Sequence, residues 1–454
     1  MKSARRPRQY FLLLVDIGVL ALSLFVALLV RFQTIPSAEL FWKHAAAFLP
    51  CWIFWIVSFY TANLYDVTAA FDEPGFPTRL FAAVAVGGLL SVLVFYVGNW
   101  SLSPKTILGL HAALLFFLTW LSRFLYGRIS SRYLPRRATA FVGIDQTVQE
   151  IVAAVEKNNR LGYKTVALLD ETGKAPEGVR SLAVRTPREF IESVQHNAVS
   201  LVVISDEDRL DDTTRQALLT LVDHSVRFMR LADFYELYLR RIPIGTINDV
   251  WFLENIDLRG KARYGVIKRG LDILVSFSLL LLCLAPWLLI SLGIKLTSQG
   301  PILFRQKRLG RGGNPFSILK FRTMRVKGND FSPTAVEDPR VTGFGRFLRR
   351  LNLDETPQFI NILLGDMSFV GPRPERPELA STLERSVPYY RQRLLVKPGI
   401  TGWDQVSGEY HSPSVEDTYK KLQYDLYYVK NMSALLDASI FFKTILTMIL
   451  GRGR

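Results

Sequence analysis

Apolar residues run almost unbroken over about residues 11–30, 40–60, 80–97 and 106–126. Each run approaches the ~20 residues a helix needs to cross a bilayer, so residues 1–135 are predicted to hold four membrane spans. The pattern then changes. Over 138–250, short apolar stretches (ATAFVGI, KTVALLD, VSLVVIS) alternate with amphipathic helical ones (TVQEIVAAVEKN, PREFIESVQ). That rhythm predicts a parallel, doubly wound sheet. A fifth long apolar run, 271–296, carries Pro286 near its middle and opens a third block over 262–454. Alternation from Phe316 onward suits a strand that would set Lys320 and Arg322 on one face. The expected fold class is therefore membrane α plus α/β: a four-helix transmembrane bundle, a Rossmann-like parallel-sheet domain, and an α/β domain with a re-entrant helix hairpin (268–296) and interfacial helices.

Charge sharpens this division. The 454 residues carry a net charge of +16, distributed unevenly. Residues 1–140 hold 13 Lys+Arg against 5 Asp+Glu, residues 141–258 hold 13 against 19, and residues 259–454 hold 30 against 16. The last block calls for an anionic partner. Its cations lie among membrane-like runs without a recognisable nucleic-acid module, so membrane lipids and nucleotide phosphates are expected and nucleic acid is not. Lys2, Arg5, Arg6 and Arg8 precede the first run, while Arg123, Arg128, Arg132, Arg136 and Arg137 are read as following the fourth. Both ends of the bundle are thus expected in the cytoplasm. The run around Pro286 has basic flanks on both sides, and a proline in a helix removes a hydrogen bond and kinks it. A helix that enters, bends at Ala285-Pro286 and returns to the same face satisfies both features; a kinked span is the alternative. The segment 433–450, with Asp437 and Lys443 in an apolar run, reads as a helix lying at the interface, with a fifth span as the runner-up. Asp16 lies inside the first run, near one end and past Arg8, and is expected to be solvated. Trp42, Trp52, Trp55, Trp100 and Trp120 include candidates for interfacial anchors. Only Cys51 and Cys283 occur, both in apolar runs, and the five histidines lack ligand spacing, so neither a disulfide framework nor a His-based metal site is expected.

Candidate chemistry concentrates in the third block. The first βα turn of the middle block reads Val-Gly143-Ile-Asp145-Gln-Thr, without G-x-G-x-x-G, and points to a cofactor-free structural or regulatory domain. By contrast, Arg349–Glu375 places Asp354 and Glu355 before a short apolar helix, with Thr356 as the expected N-cap and Pro357 as its first residue. Arg346, Arg349 and Arg350 precede the acids. Gly371-Pro372-Arg373-Pro374 forms a stiff turn that would aim one guanidinium, a group matched to phosphate oxygens. Paired carboxylates and fixed cations together suggest phosphoryl chemistry.

KRGLDI (268–273), the proline-broken run, FRQKRLGR, ILKFRTM, LDETPQ, NILLGDMSFVGPRPE, KPGITGW (397–403) and YDLYYVKN (424–431) follow in this order. The set resembles the catalytic domain of the monotopic phosphoglycosyl transferases over about 262–454, and the preceding spans and sheet domain resemble those of the large members. The resemblance implies transfer of a sugar 1-phosphate, with glucose or galactose favoured, from a UDP-sugar to undecaprenyl phosphate, with Mg²⁺ and release of UMP. It makes Asp354 the nucleophile and a metal contact, and Glu355 the second acid. Lys320, Arg322, Arg349 and Arg373 match phosphate-holding positions, and Gln358 falls in the substrate-binding motif. It further implies exopolysaccharide, capsule or O-antigen synthesis, a bacterial inner-membrane location with a cytoplasmic site, and a homodimer. A UDP-N-acetylhexosamine donor and a non-catalytic scaffold are the alternatives. Three positions depart from the family pattern: Asn352 in place of Ser, Asp404 after Trp403, and Ser407-Gly408-Glu409 in place of Asn-Gly-Arg. The last two put the sugar preference in doubt.

Overall fold

In a computed structural model of the chain, the structure describes residues 2–62, 64–65, 75–97, 105–133, 136–157, 162–171, 173, 177–205, 210–224, 226–325, 338–407 and 414–449. It divides into two compact units, Met1–Leu239 and Arg240–Arg454.

The first unit opens with four long helices, α1 (Lys2–Phe32), α2 (Ala38–Thr61), α3 (Phe76–Val97) and α4 (Lys105–Tyr133). Helix α1 packs on α4 and α2, and α3 on α2 and α4. Among the described residues, five helices are long and apolar enough to cross a membrane, and these four are among them. The chain is a membrane protein on that ground.

Two expectations fail inside the bundle. Asp16 is fully buried and not solvated, because Arg123 Nη2 donates to its carboxylate at 2.6 Å. Arg123 is therefore no flanking loop cation: it lies within α4, fully buried, and its Nε also donates to the Leu64 carbonyl. A charge in so apolar a bundle persists only when paired. Trp55 is a core residue, with Nε1 donating to the Val84 carbonyl, whereas Trp42 is largely exposed; Trp100 lies outside the described residues.

The unit continues as β1 (Arg137–Val142), α5 (Gln146–Lys157), β2 (Tyr163–Leu169), β3 (Ala183–Val184), α6 (Pro187–His196), β4 (Leu201–Ile204), α7 (Asp212–Leu219), β5 (Arg227–Arg230) and α8 (Leu231–Leu239). The strands form one parallel sheet in the order β3-β2-β1-β4-β5. Apolar faces of α5 and α8 cover one side, through Ile151, Val155 and Phe234, and α6 and α7 cover the other, through Phe190, Val194 and Leu218. At the first βα turn Asp145 caps α5, accepting from Val148 N at 2.7 Å and from Ser205 Oγ at 2.5 Å. A protein carboxylate thus stands at the helix start, where a dinucleotide-binding turn would present a phosphate.

The second unit begins with α9 (Asp249–Asn255) and the 36-residue α10 (Ala262–Thr297), which contains Pro286. Next come the antiparallel pair β6 (Leu303–Leu309) and β7 (Pro315–Phe321), then α11 (Gly343–Arg350). A 3₁₀ turn (Leu353–Glu355) leads into α12 (Gln358–Leu364). After β8 (Ser368–Val370) come α13 (Pro377–Ser386), β9 (Gly399–Thr401), which pairs parallel with β8, α14 (Val415–Asn431) and α15 (Ala434–Ile449). The β8 and β9 chains meet at glycines: a Cβ on Gly371 would lie 2.3 Å from the Lys397 carbonyl, so no larger residue fits there.

Both ends of α10 are fastened to this unit. Near its start, Lys268 reaches the Val370 carbonyl and Asp437, Arg269 donates to the Ile362 and Leu363 carbonyls, and Asp272 accepts from Ser368 and Phe369. Near its end, Trp287 Nε1 donates to Thr356 Oγ1 at 3.0 Å, and Ile290 and Ile294 pack with Phe321 and Leu348. Between them, residues 277–289 are exposed or half-exposed and almost wholly apolar. In α15, Asp437 accepts from Tyr264 and Tyr428 besides pairing with Lys268, and Lys443 lies over the Trp403 ring. The charges that interrupt its apolar run are thus anchors. Tyr390, Tyr424 and Tyr428 are core residues.

Candidate active site

The two acids sit on the 3₁₀ turn between α11 and α12. Asn352 opens the turn with φ 54° and ψ 21°. This is the left-handed region, which asparagine tolerates better than most residues, and it gives a physical reason for Asn at a position where serine is usual. Thr356 does not act as an N-cap. The turn passes through Thr356 and Pro357 in right-handed helical geometry straight into α12, so the Thr356 hydroxyl points back and donates to the Leu353 carbonyl at 2.8 Å.

The strand partner is β7. Asn361 of α12, almost fully buried, donates from Nδ2 to the Ser317 carbonyl and accepts from Leu319 N through Oδ1 at 3.0 Å. This clamp fixes the register of α12 on β7 and brings Lys320 to the acids. Lys320 Nζ donates to Glu355 Oε1 at 2.6 Å, and Arg373 Nη2 donates to the same oxygen at 3.0 Å. Arg349 is held by Thr323, to which its Nε donates at 2.9 Å.

The charges act differently on the two acids. Burial pushes the Asp354 carboxyl up and the neighbouring Glu355 charge adds to this, while Lys320 and Arg349 offset part of the rise. Burial would raise Glu355 too, but Arg373 and Lys320 outweigh it and hold that carboxyl well below the usual carboxylate range. Lys320 is pulled down by burial, with Glu355 opposing. Two neighbouring carboxylates in one site thus acquire opposite tendencies. Among the described residues, no other side chain makes a hydrogen bond or ion pair to the Asp354 carboxylate, whereas Glu355 is clasped by two cations.

Of the remaining expected residues, Gln358 is buried three residues after Glu355, and its Nε2 has no hydrogen-bond partner among the described residues. Arg322 lies one residue past β7; it donates to the Ser298 carbonyl at 3.0 Å and to neither acid. Asp366, not among the expected residues, lies two residues past α12 and accepts from Asn361 Nδ2 at 3.4 Å. Gly408 and Glu409 lie outside the described residues. Pro286 is an exposed residue in mid-helix.

A family model described as bacterial sugar transferase matches residues 263–451. Over 377 residues the chain is 30% identical to the UDP-glucose:undecaprenyl-phosphate glucose-1-phosphate transferase of Klebsiella pneumoniae, covering 78% of this chain and 81% of that protein. The chain belongs to the bacterial sugar transferase family. It is also 34% identical over 320 residues to the Xanthomonas campestris protein of the same name, covering 68% of this chain and 66% of that one. A third relative, the UDP-N-acetylgalactosamine-undecaprenyl-phosphate N-acetylgalactosaminephosphotransferase of Aeromonas hydrophila, is 43% identical over 192 residues. That match covers 42% of this chain and 45% of the Aeromonas protein, so the chain spans less than half of that relative's length.

In this bacterial sugar transferase the sequence reading missed the residues that hold the site in shape. Asn361 reads as one more polar position in an apolar helix. Glu375, Arg393, Asp425 and Lys421 form a second ionic cluster behind the Arg373 turn. Their signal lay only in single charged residues inside GPRPE, RQRLL, KKLQ and YDLYY, stretches that no local spacing pairs with one another.

Proposed function

We propose that this protein transfers a sugar 1-phosphate from a UDP-sugar to undecaprenyl phosphate, releasing UMP, as the first membrane step in assembling a polysaccharide. One observation carries the chemistry: among the described residues the buried Asp354 carboxylate makes no side-chain hydrogen bond or ion pair, and it stands beside a second carboxylate that draws Lys320 and Arg373 together. An Asp354 oxygen attacks the β-phosphorus of the donor, the bond from that phosphorus to the bridging oxygen breaks, and UMP leaves. The product is an aspartyl-phosphosugar. A phosphate oxygen of the acceptor then attacks the same phosphorus, Asp354 departs as a carboxylate, and the lipid diphosphate sugar is formed. A carboxylate needs no deprotonation to serve in this way, and its acyl phosphate remains reactive.

Glu355, held ionised by its two cations, orders them and carries no proton near neutral pH. Lys320 and Arg373 offer donors to the phosphate oxygens as charge shifts during transfer, and Arg349 adds a third cation whose charge acts on Asp354. Among the described residues no cluster of three His, Cys, Asp or Glu could hold a metal by itself. The donor set nevertheless fits Mg²⁺, which binds through one or two carboxylates plus substrate phosphates. Asp354 would hold it, and the ion would supply neutralisation of the diphosphate.

The anchoring of α10 supports a re-entrant reading. Straight, its 36 residues would extend about 54 Å, beyond the ~30 Å hydrocarbon core. Yet residues on both sides of Pro286 bind one cytosolic-type unit, which fits a helix that dips into one leaflet and returns. Helix α15 then lies at the same interface, and the site faces the cytoplasm of a bacterial inner membrane. A homodimer rests on family analogy alone.

Two relatives are named for glucose 1-phosphate, which favours a hexose donor; the Aeromonas relative keeps an N-acetylhexosamine as the second reading. UMP release by the purified protein with Mg²⁺ and undecaprenyl phosphate, compared across UDP-glucose, UDP-galactose and UDP-N-acetylhexosamines, tests both. Turnover with one donor, abolished in Asp354→Asn, is expected. No turnover with any donor from folded protein in lipid would refute the reading.

A further inference from the structure

The Arg373 turn is gripped from behind at three consecutive carbonyls. Arg393 Nη2 donates to the Arg373 carbonyl at 3.0 Å, Arg308 Nη1 to the Pro374 carbonyl at 3.1 Å, and Leu309 N to the Glu375 carbonyl at 2.9 Å. Arg393 is itself fixed twice, by an ion pair to Asp425 at 2.8 Å and by donating from Nη1 to Tyr390 Oη at 2.9 Å. Both members of the ion pair are about 3% exposed or less. Around them stand Glu375, paired with Lys421 and Arg308, and Asp404, whose charge also acts on Asp425.

A dry ion pair is weak grounds for a stabilising role, since a well-packed apolar pair could replace it with little loss. What an apolar pair could not supply is a donor to the Arg373 carbonyl. From Arg373 the line continues to Glu355 and the phosphate site, with Asp425 on α14 at its far end.

Building on the function proposed above, we infer that Arg393 and Asp425 are positioning residues for phosphoryl transfer: the pair sets the direction of the Arg373 guanidinium while touching no substrate. Misplacing a catalytic group by a fraction of an ångström to one ångström costs on the order of 10–100-fold in rate, and such a loss falls on kcat when the interaction belongs to the transition state.

The test is a double-mutant cycle on the full-length protein in lipid, read by UMP release, with thermal unfolding measured alongside. Asp425→Asn should lower kcat by about tenfold or more while the donor KM changes by less than about threefold. In an Arg373→Ala background the same change should cost less than about twofold, because the group it positions is gone. Asp425→Glu and Arg393→Lys, which keep the charges, should recover part of the rate. An equal loss in both backgrounds, as expected of a purely structural pair, would overturn the proposal, and so would a folded Asp425→Asn of native rate.

A second readout needs no turnover. Amide hydrogen exchange should rise over residues 371–376 in Asp425→Asn and stay unchanged over α12, and equal protection in both proteins would also overturn the inference. An inactive wild type would instead contradict the functional reading and leave hydrogen exchange to decide the positioning.

Discussion

Asp354 and Glu355 are chemically alike and adjacent, yet their surroundings divide the work between them. Glu355 lies between Lys320 and Arg373 and stays ionised; Asp354 keeps its oxygens available and is pushed upward by burial and by its neighbour's charge. The pH dependence follows with a definite sign. As the proposed nucleophile, Asp354 must be ionised to act, so the rate should fall as pH drops through its pKa, and that acid limb should lie above the range of an ordinary aspartate. A pH–rate profile of UMP release checks this, and an acid limb at ordinary aspartate pH would contradict it. Glu355→Gln keeps an acceptor but leaves two neighbouring cations without their shared anion. It should reduce both turnover and thermal stability, the latter by about 1–3 kcal/mol. At this scale the sequence was most informative about groups close in the chain: the Asp-Glu pair and the proline-braced arginine could be read directly. Arg393 and Asp425, 32 positions apart in the chain, meet only through folding, so no local pattern announced them.

Among the elements, α10 and the β7–α12 pair decide where the site lies. Pro286 and the basic flanks are the sequence signs behind the proposed bend in α10, while the fastening of both its ends, by Lys268, Arg269 and Asp272 on one side and Trp287 on the other, appears only in three dimensions. If Pro286 lets the helix return, Pro286→Ala should shift the population toward a straight, crossing helix. Labelling single cysteines placed at each end with a membrane-impermeant reagent, from either side, reads this: one-sided labelling in the native helix and two-sided labelling in the variant are expected. Two-sided labelling of the native helix would refute the re-entrant reading. The Asn361 clamp gives a second prediction. Asn361→Ala removes the partner of the Ser317 carbonyl and of the Leu319 amide at the part-buried contact between β7 and α12 and should cost about 1–3 kcal/mol in unfolding free energy. Strand and helix periodicity located β7 and α12, but the amide joining them carries no periodic signature. Likewise Thr356, a good N-cap by composition, was overruled because the 3₁₀ turn runs directly into the helix.

For the molecule as a whole, the hydropathy pattern revealed four apolar helices, a parallel sheet and a basic terminal block, because each repeats a simple period. It misread Asp16 and Arg123: a linear sequence shows an acid near a helix end, and only packing shows it sealed against an arginine of another helix. Asp16→Asn should strand that arginine in the bundle and lower stability by on the order of 3–5 kcal/mol, with the charge swap Asp16→Arg/Arg123→Asp recovering part of it; equal instability of the swap would argue against pairing as the cause. The stretch matched by the family model, residues 263–451, lies within the second unit, so residues 240–454 expressed alone with membrane lipid should retain transfer activity. Loss of activity in a folded truncation would assign the first unit a part in catalysis. The two-step chemistry at Asp354 is tested most directly by mixing the intact protein with a UDP-sugar in the absence of lipid acceptor and analysing its peptides by mass spectrometry. A sugar phosphate attached to Asp354, released on adding undecaprenyl phosphate and absent from Asp354→Asn, is the predicted result; turnover that begins only with acceptor present, with no adduct at any time, would contradict it.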